Sequence, residues 1–192
     1  MKKLHLFLGL VLFLFINACG NKPAGESNAT TKVVTKRVEL ERGWIYRDTT
    51  EYSIKYPADW KFQSTGQIGI QFIVTSMPTC ETDSFRENIN LVVEDLLGTD
   101  LTLDKYASMS EEQIKELVYN VKILKSERVK TESDEYQCIV YEGEQGKNKL
   151  TFEQYYRVSN MKAYVLTFTA GRNEYADYRE IAEKIMNSFQ IK

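Results

Sequence analysis

The residue types best suited to acid–base or metal chemistry are two close sets of carboxylates, Glu81-Thr82-Asp83 and Glu94-Asp95, and three cysteines, Cys19, Cys80 and Cys138. Paired carboxylates share protons or hold calcium only where their oxygens converge. Glu94 and Asp95 are neighbours in a run that reads as a strand, where successive side chains leave opposite faces, so the two diverge and read as solvated surface acids. No two cysteines have the short spacing of a zinc site. The single histidine, His5, falls in an N-terminal apolar run, so loss of that run would leave no imidazole for catalysis. A Ser–Lys dyad needs no proximity in sequence, but no motif supports one. The residues therefore indicate no catalytic, metal or cofactor site. The alternative is an envelope enzyme that works with carboxylate, serine or lysine groups.

Those groups must be carried by one core. Hydrophobic residues make up 43% and aromatics 12% of 192 residues, which is enough apolar matter for a folded domain and excludes a disordered chain. With 25 Lys+Arg against 27 Asp+Glu the formal charge is −2, which provides no general polyanion surface and excludes nucleic acid as a partner.

The N-terminus has the form of an export leader. Lys2 and Lys3 precede the apolar run Leu4 to Ile16. As a helix that run covers about 20 Å, short of the roughly 30 Å hydrocarbon core of a bilayer. Ile16-Asn17-Ala18-Cys19-Gly20 then resembles the bacterial lipobox. That resemblance implies cleavage after residue 18 and thioether linkage of Cys19 to diacylglycerol, the partner being membrane lipid. Two or three acyl chains anchor a protein durably where one does not. Removing residues 1–18 takes away Lys2 and Lys3 and no acids, so 23 bases would face 27 acids, a charge of −4. In lipoproteins of this kind an aspartate after the cysteine favours inner-membrane retention; Gly20 there points towards the outer membrane of a bacterial cell envelope, with a Gram-positive surface left open. Residues 19–36 read as the lipidated cysteine and a tether, since Gly20 to Lys36 carries no aromatic residue and cannot repay its own ordering. As flexible coil it reaches about 22 Å.

Residues 37–192 read as a single domain. Period-two patterns predict strands at Trp44 to Tyr46, Tyr52 to Tyr56 (ended by Pro57), Gly69 to Val74, Asn88 to Val93, Lys122 to Lys130, Glu135 to Glu142, Leu150 to Ser159 and Lys162 to Ala170. Gly143 to Asn148 and Ser159-Asn160 supply turn chemistry between the later ones. Leu103, Tyr106, Ala107, Ile114, Leu117 and Val118 share one face of a helix begun at Thr102, with a capping-box pattern at Ser110-Glu111-Glu112-Gln113 that predicts a break and restart. A closing helix begins with Asn173 as N-cap and carries Tyr178, Ile181, Ala182, Ile185 and Phe189 along one stripe. Tyr164, Leu166 and Phe168 alternate with Ala163 and Val165, so both faces of that strand need cover. The fold class is α+β: an antiparallel sheet of about six or seven strands flanked by helices.

Tyr52-Ser53-Ile54-Lys55-Tyr56-Pro57-Ala58-Asp59-Trp60, Glu87-Asn88-Ile89-Asn90-Leu91 and the terminal Asn187-Ser188-Phe189 resemble the PsbP-like family. The resemblance spans about Glu51 to Ile191. The superfamily includes the extrinsic photosystem II subunit, a nuclear-import accessory protein that binds a small GTPase, and bacterial lipoproteins. It implies an αβα sandwich and brings no catalytic or cofactor motif. Photosystem function is not implied, because a fold says nothing of which partner is bound. The expectation is a lipid-anchored, non-enzymatic envelope protein that binds a protein or small ligand through its sheet and helix surface. Trp60 is expected to plug one end of the core, and Tyr155 and Tyr156 to face opposite ways. Export would place Cys80 and Cys138 where disulfides persist, so a bond between them is open, as is a simple buried thiol at Cys138.

Overall fold

The computed structural model describes residues 43–67, 69–78 and 85–192. Its elements in chain order are β1 (Trp44–Asp48), β2 (Tyr52–Pro57), β3 (Lys61–Gln63), β4 (Ile70–Thr75), β5 (Asn88–Asp95), α1 (Leu103–Leu117), β6 (Tyr119–Lys130), β7 (Glu135–Gln145), β8 (Asn148–Ser159), β9 (Lys162–Gly171), α2 (Tyr175–Asn187) and β10 (Gln190–Ile191). A seven-stranded antiparallel sheet has the order β3-β4-β5-β9-β8-β7-β6, and a three-stranded one the order β1-β2-β10. The α+β class is as the periodicities predict, as are six of the seven strands of the main sheet, while the strands read at Trp44 and Tyr52 form part of the small sheet. Short β3 and β10 were not legible, because three and two residues carry no period.

Both faces of the main sheet are covered. On one, Phe72, Val74, Ile89, Leu91, Leu166 and Phe168 meet Tyr52, Ile54 and Tyr56 of the small sheet and Ala182, Ile185 and Met186 of α2. On the other, Val92, Ile139, Tyr141, Tyr156 and Val165 meet Tyr106, Ile114 and Val118 at α1. This two-sided burial is why Ala163 to Ala170 are buried without a break. Pro57 closes β2 opposite Trp44, and β10 pairs β2 only at Tyr52 and Ser53, so the missing proline N–H is not needed there.

Three local expectations are corrected. First, α1 does not break at Ser110. That residue is buried on the sheet-facing side and its hydroxyl donates to the Tyr106 carbonyl at 2.8 Å rather than capping a new helix. The helix is capped at its true start, where Thr102 Oγ1 accepts from the Lys105 N–H at 3.4 Å, and it ends one residue before Val118, which leaves Leu117 60% exposed. Second, α2 is entered through Glu174, already in helical backbone after the turn that joins its N–H to the Gly171 carbonyl, so Asn173 lies too early to cap it.

Third, Gly143 is not a turn residue. β7 runs on to Gln145, the turn is Gly146-Lys147, and Gly146 takes the positive φ of +61°. Gly143 is a glycine because the Val118 side chain occupies its β-carbon position, 2.2 Å from where that atom would stand. Gly143→Ala is therefore expected to lower stability by about 1–3 kcal/mol through overpacking, and Val118→Ala in the same chain to recover part of the loss. Urea denaturation of the single and double variants checks this.

The β8–β9 hairpin turns at Asn160 and Met161, both at positive φ (+52° and +56°), the pattern of a type I′ turn that favours asparagine or glycine. Asparagine suits it. Methionine there costs roughly 1 kcal/mol.

Candidate functional site

The expected arrangements are met where they lie among the described residues. Trp60 is buried, edge-on to Tyr178 at 6.3 Å between ring centres, as a plug of the core. Tyr155 and Tyr156 face opposite sides: Tyr155 stacks on Tyr136 at 4.5 Å beneath the α2 layer, and Tyr156 packs near Tyr106 of α1 at 5.9 Å. Glu94 and Asp95 diverge as expected, but only Asp95, accepting from the Leu97 N–H at 2.8 Å, is an exposed surface acid; Glu94 is half-buried and accepts from the Tyr106 hydroxyl at 2.9 Å. Glu81, Asp83, Cys80, Cys19 and His5 lie outside the described residues. Cys138 is buried, as its mid-strand position predicts.

What sequence reasoning missed is a polar row on β8. Thr151, Glu153, Tyr155 and Arg157 occupy alternate positions, point to the α2 side, and are each 5% exposed or less. β8 lies between β7 and β9, each apolar on both faces, so a charged group on it has to be buried; the sequence does not give that strand order. Glu153 is 2% exposed and collects three donors. Its Oε2 accepts from the Tyr175 hydroxyl at 2.6 Å, and its Oε1 from the Tyr155 hydroxyl at 3.1 Å and the Cys138 thiol at 3.9 Å. Burial, reinforced by the Glu153 carboxyl, pushes the acidities of Tyr155 and Tyr175 well above the phenol range, so both stay protonated donors. The same causes push the Cys138 thiol up to about 12.

Arg157 continues the row. Its Nε and Nη2 donate to the Asp134 carboxylate at 3.1 and 2.6 Å, the guanidinium lies 4.5 Å over the Tyr136 ring, and the Phe189 ring is 5.6 Å away. Nη1 has no hydrogen-bond partner among the described residues. This planar pairing and stacking are geometries that arginine supports and lysine does not.

The row is closed to solvent, so its chemistry is turned inward. At pH 8 a thiol with an acidity near 12 is almost wholly protonated and hence a poor nucleophile. With Cys80→Ser to remove the other thiol of the domain, Cys138 is expected to resist iodoacetamide at pH 8 until the chain is unfolded in urea. Fast labelling of the folded protein, read by intact mass, would contradict the burial argument.

Two open concavities lie among the described residues. One, of 280 Å³, runs between α1 and the β6–β7 edge and is lined by Asp104, Glu111, Glu112, Lys115, Ser126 and Gln137. Glu111 accepts from Lys115 Nζ at 2.7 Å and from Ser126 Oγ at 2.9 Å, which holds its acidity below the usual carboxylate range. Asp104 pairs with Arg128. The other, of 310 Å³, lies at the β7–β8 turn and the entry to α2, lined by Phe85, Lys147, Lys149, Arg172 and Glu174 among others. Among the described residues no group of three or more His, Cys, Asp or Glu is placed to hold a metal.

The sequence matches a family pattern along nearly its whole length: that of the PsbP-like proteins aligns with residues 6–191. The chain belongs to the PsbP-like family. Solved structures agree on the fold. The cyanobacterial PsbP of Synechocystis sp. PCC 6803 superposes with a TM-score of 0.56 at 11% identity, over 83% of this chain and 99% of that one. LpqN of Mycobacterium tuberculosis, described as involved in cell envelope biogenesis, gives 0.56 at 12% identity over 80% and 87%. The Ran-binding protein Mog1p of Saccharomyces cerevisiae gives 0.51 at 11% identity over 83% and 96%. No curated protein sequence matches the chain. At these identities the superpositions show a shared fold, and this PsbP-like chain shares with them the sheet that carries its polar row.

Proposed function

We propose that this PsbP-like protein is a lipid-anchored, non-enzymatic accessory component of the bacterial cell envelope that binds a protein or small ligand through its sheet and helix surface. The observation that carries this reading is where the reactive groups of the domain are spent. Glu153, Arg157 and Cys138 are buried and bonded within the α2-side core, whereas Glu111 and Asp104, which line the open concavity beside α1, are held in surface ion pairs. Such surfaces bind without bond-making. The fold supports the reading, since it also serves a yeast Ran-binding protein and a mycobacterial protein involved in cell envelope biogenesis.

Anchoring rests on Cys19 and its lipobox setting, and no described helix is long and apolar enough to cross a membrane. Gly20 favours the outer membrane where the cell has one, and membrane lipid is the anchoring partner. Cys138 stands as a free, buried thiol in the structure; intact mass before and after reduction reads the state of the exported protein, a two-dalton rise marking a bond to Cys80 and no shift marking two thiols.

Two measurements test the whole. Mass spectrometry of the protein extracted from membranes is expected to give an acylated Cys19 as the first residue; an unmodified amino end, or another first residue, would overturn the anchor. Crosslinking in the intact envelope is expected to give one reproducible adduct of the folded protein. Hydrolytic or transfer activity that follows the purified protein and disappears with Glu111→Gln would sink the non-enzymatic reading.

A further inference from the structure

The end of the domain opposite the point where the chain enters it carries two large apolar side chains held in water. Leu97 is 69% exposed and Met161 60% exposed. Single exposed apolar residues are ordinary, but these two sit on turns that are stitched to each other, the Leu96 N–H donating to the Met161 carbonyl at 2.8 Å. Neither turn is loose. Leu97 is the corner of the Leu96–Thr99 turn, closed by the Thr99 N–H on the Leu96 carbonyl at 3.0 Å, with Gly98 at φ +78°, and its own N–H is held by Asp95. Met161 occupies a left-handed position that hairpin turns give to glycine or asparagine. A side chain that is strained in backbone and exposed in water contributes nothing to the core. Rigid presentation of this kind lowers the ordering cost of binding.

We infer that this tip, Leu97 with Met161, is the docking end for a protein partner whose matching surface is an apolar socket rimmed by cationic side chains. The inference rests on the reading of the protein as a tethered binding module and names its working surface. Position and charge argue for a protein rather than the bilayer. The 42 residues outside the described domain lead into it at Gly43, whose carbonyl accepts from Ala58 at the far end of the β1–β2 hairpin. The near end of that hairpin is pinned to the tip by Glu51 and Lys162 at 2.7 Å. Six residues of strand between the two ends span about 20 Å, so the tip lies remote from the point at which the tether joins the domain. Asp95 and Asp100 are exposed on the tip loop, and Lys162 is already tied to Glu51, a balance that suits a cationic rim and opposes an anionic lipid surface.

The test uses the full lipoprotein in its own envelope, with a photoreactive residue placed at position 97 or 161 and, as controls, at exposed Lys147 and Lys184. Positions 97 and 161 are expected to give one heavier band of the same mass and the controls none. The partner in that band, identified by mass and purified, is expected to bind the wild-type protein about tenfold or more tighter than Leu97→Asp. Met161→Asn separates docking from folding, because it suits the turn: binding should weaken while the melting temperature holds or rises. Labelled lipid, a band of twice the protein's own mass, or unchanged affinity in both variants would overturn the tip. A band from the control positions alone would remove the tip and leave the binding module standing. No adduct from any exposed position would remove both.

Discussion

Cells making the Cys19→Ala variant are expected to release the protein into the soluble fraction, with almost none left on membranes. Only the thiol can carry the thioether-linked lipid, so the substitution removes every acyl chain at once. Each buried methylene contributes about 0.8 kcal/mol, and no described helix is long and apolar enough to cross a membrane in its place. Charge does not replace it either. Without residues 1–18 the chain carries −4, by 23 bases against 27 acids, and an anionic surface repels it. An uncleaved leader would hold the variant on membranes by itself, so the length of the product is read on the same gel. Residues 20–192 behind an ordinary cleavable leader make a second version free of that ambiguity. A mature-sized product that stays with membranes through a high-salt wash contradicts the anchor.

Arg157→Ala is the substitution expected to harm folding most, by about 2–5 kcal/mol, the range for emptying the space of a large buried side chain. Arg157 is 4% exposed and wedged among aromatic rings, while its partner Asp134 retains access to solvent with 35% of its side chain exposed. Truncation removes a bidentate charged pair, a cation stacked on Tyr136, and the volume that separates Tyr155 from Phe189. Arg157→Met fills most of that volume and takes the charge away from a site where its desolvation is costly, so it is expected to lose much less. The comparison of the two in urea therefore separates packing from pairing: equal losses would mean that the ion pair, not the filled volume, holds this end of the core. The midpoint should move with little change in slope, because the surface exposed on unfolding stays nearly the same.

The elements were legible because their signal is local. Tyr52, Ile54 and Tyr56 alternate with polar residues, and Tyr106, Ala107 and Ile114 recur at helical spacing, so the buried side of each element can be read from a few neighbours. The misread places are those where a local signal had a non-local explanation. Gly143 has turn chemistry, yet it is glycine for the sake of Val118. Ser110 starts a capping pattern, yet the sheet under α1 holds it in mid-helix. Of the candidate site, the divergence of Glu94 from Asp95 and of Tyr155 from Tyr156 follows from strand geometry alone. The sealing of Glu153 does not, because it needs Tyr175 from α2 and Cys138 from β7 to arrive over β8.

By itself, then, the chain's order of residues determined the leader-like start with Cys19, the lack of any histidine beyond it, the α+β class and the family likeness. Each of these is a property of short stretches or of composition. The tertiary structure alone decided that ten strands divide into seven and three, that Lys55 meets Ser188 across 133 residues, that Arg157 is buried, and that Leu97 and Met161 stand side by side at one end. The physical reason is that these depend on pairings between distant segments. Such pairings are selected by the joint burial of whole faces, and no window along the sequence contains both partners.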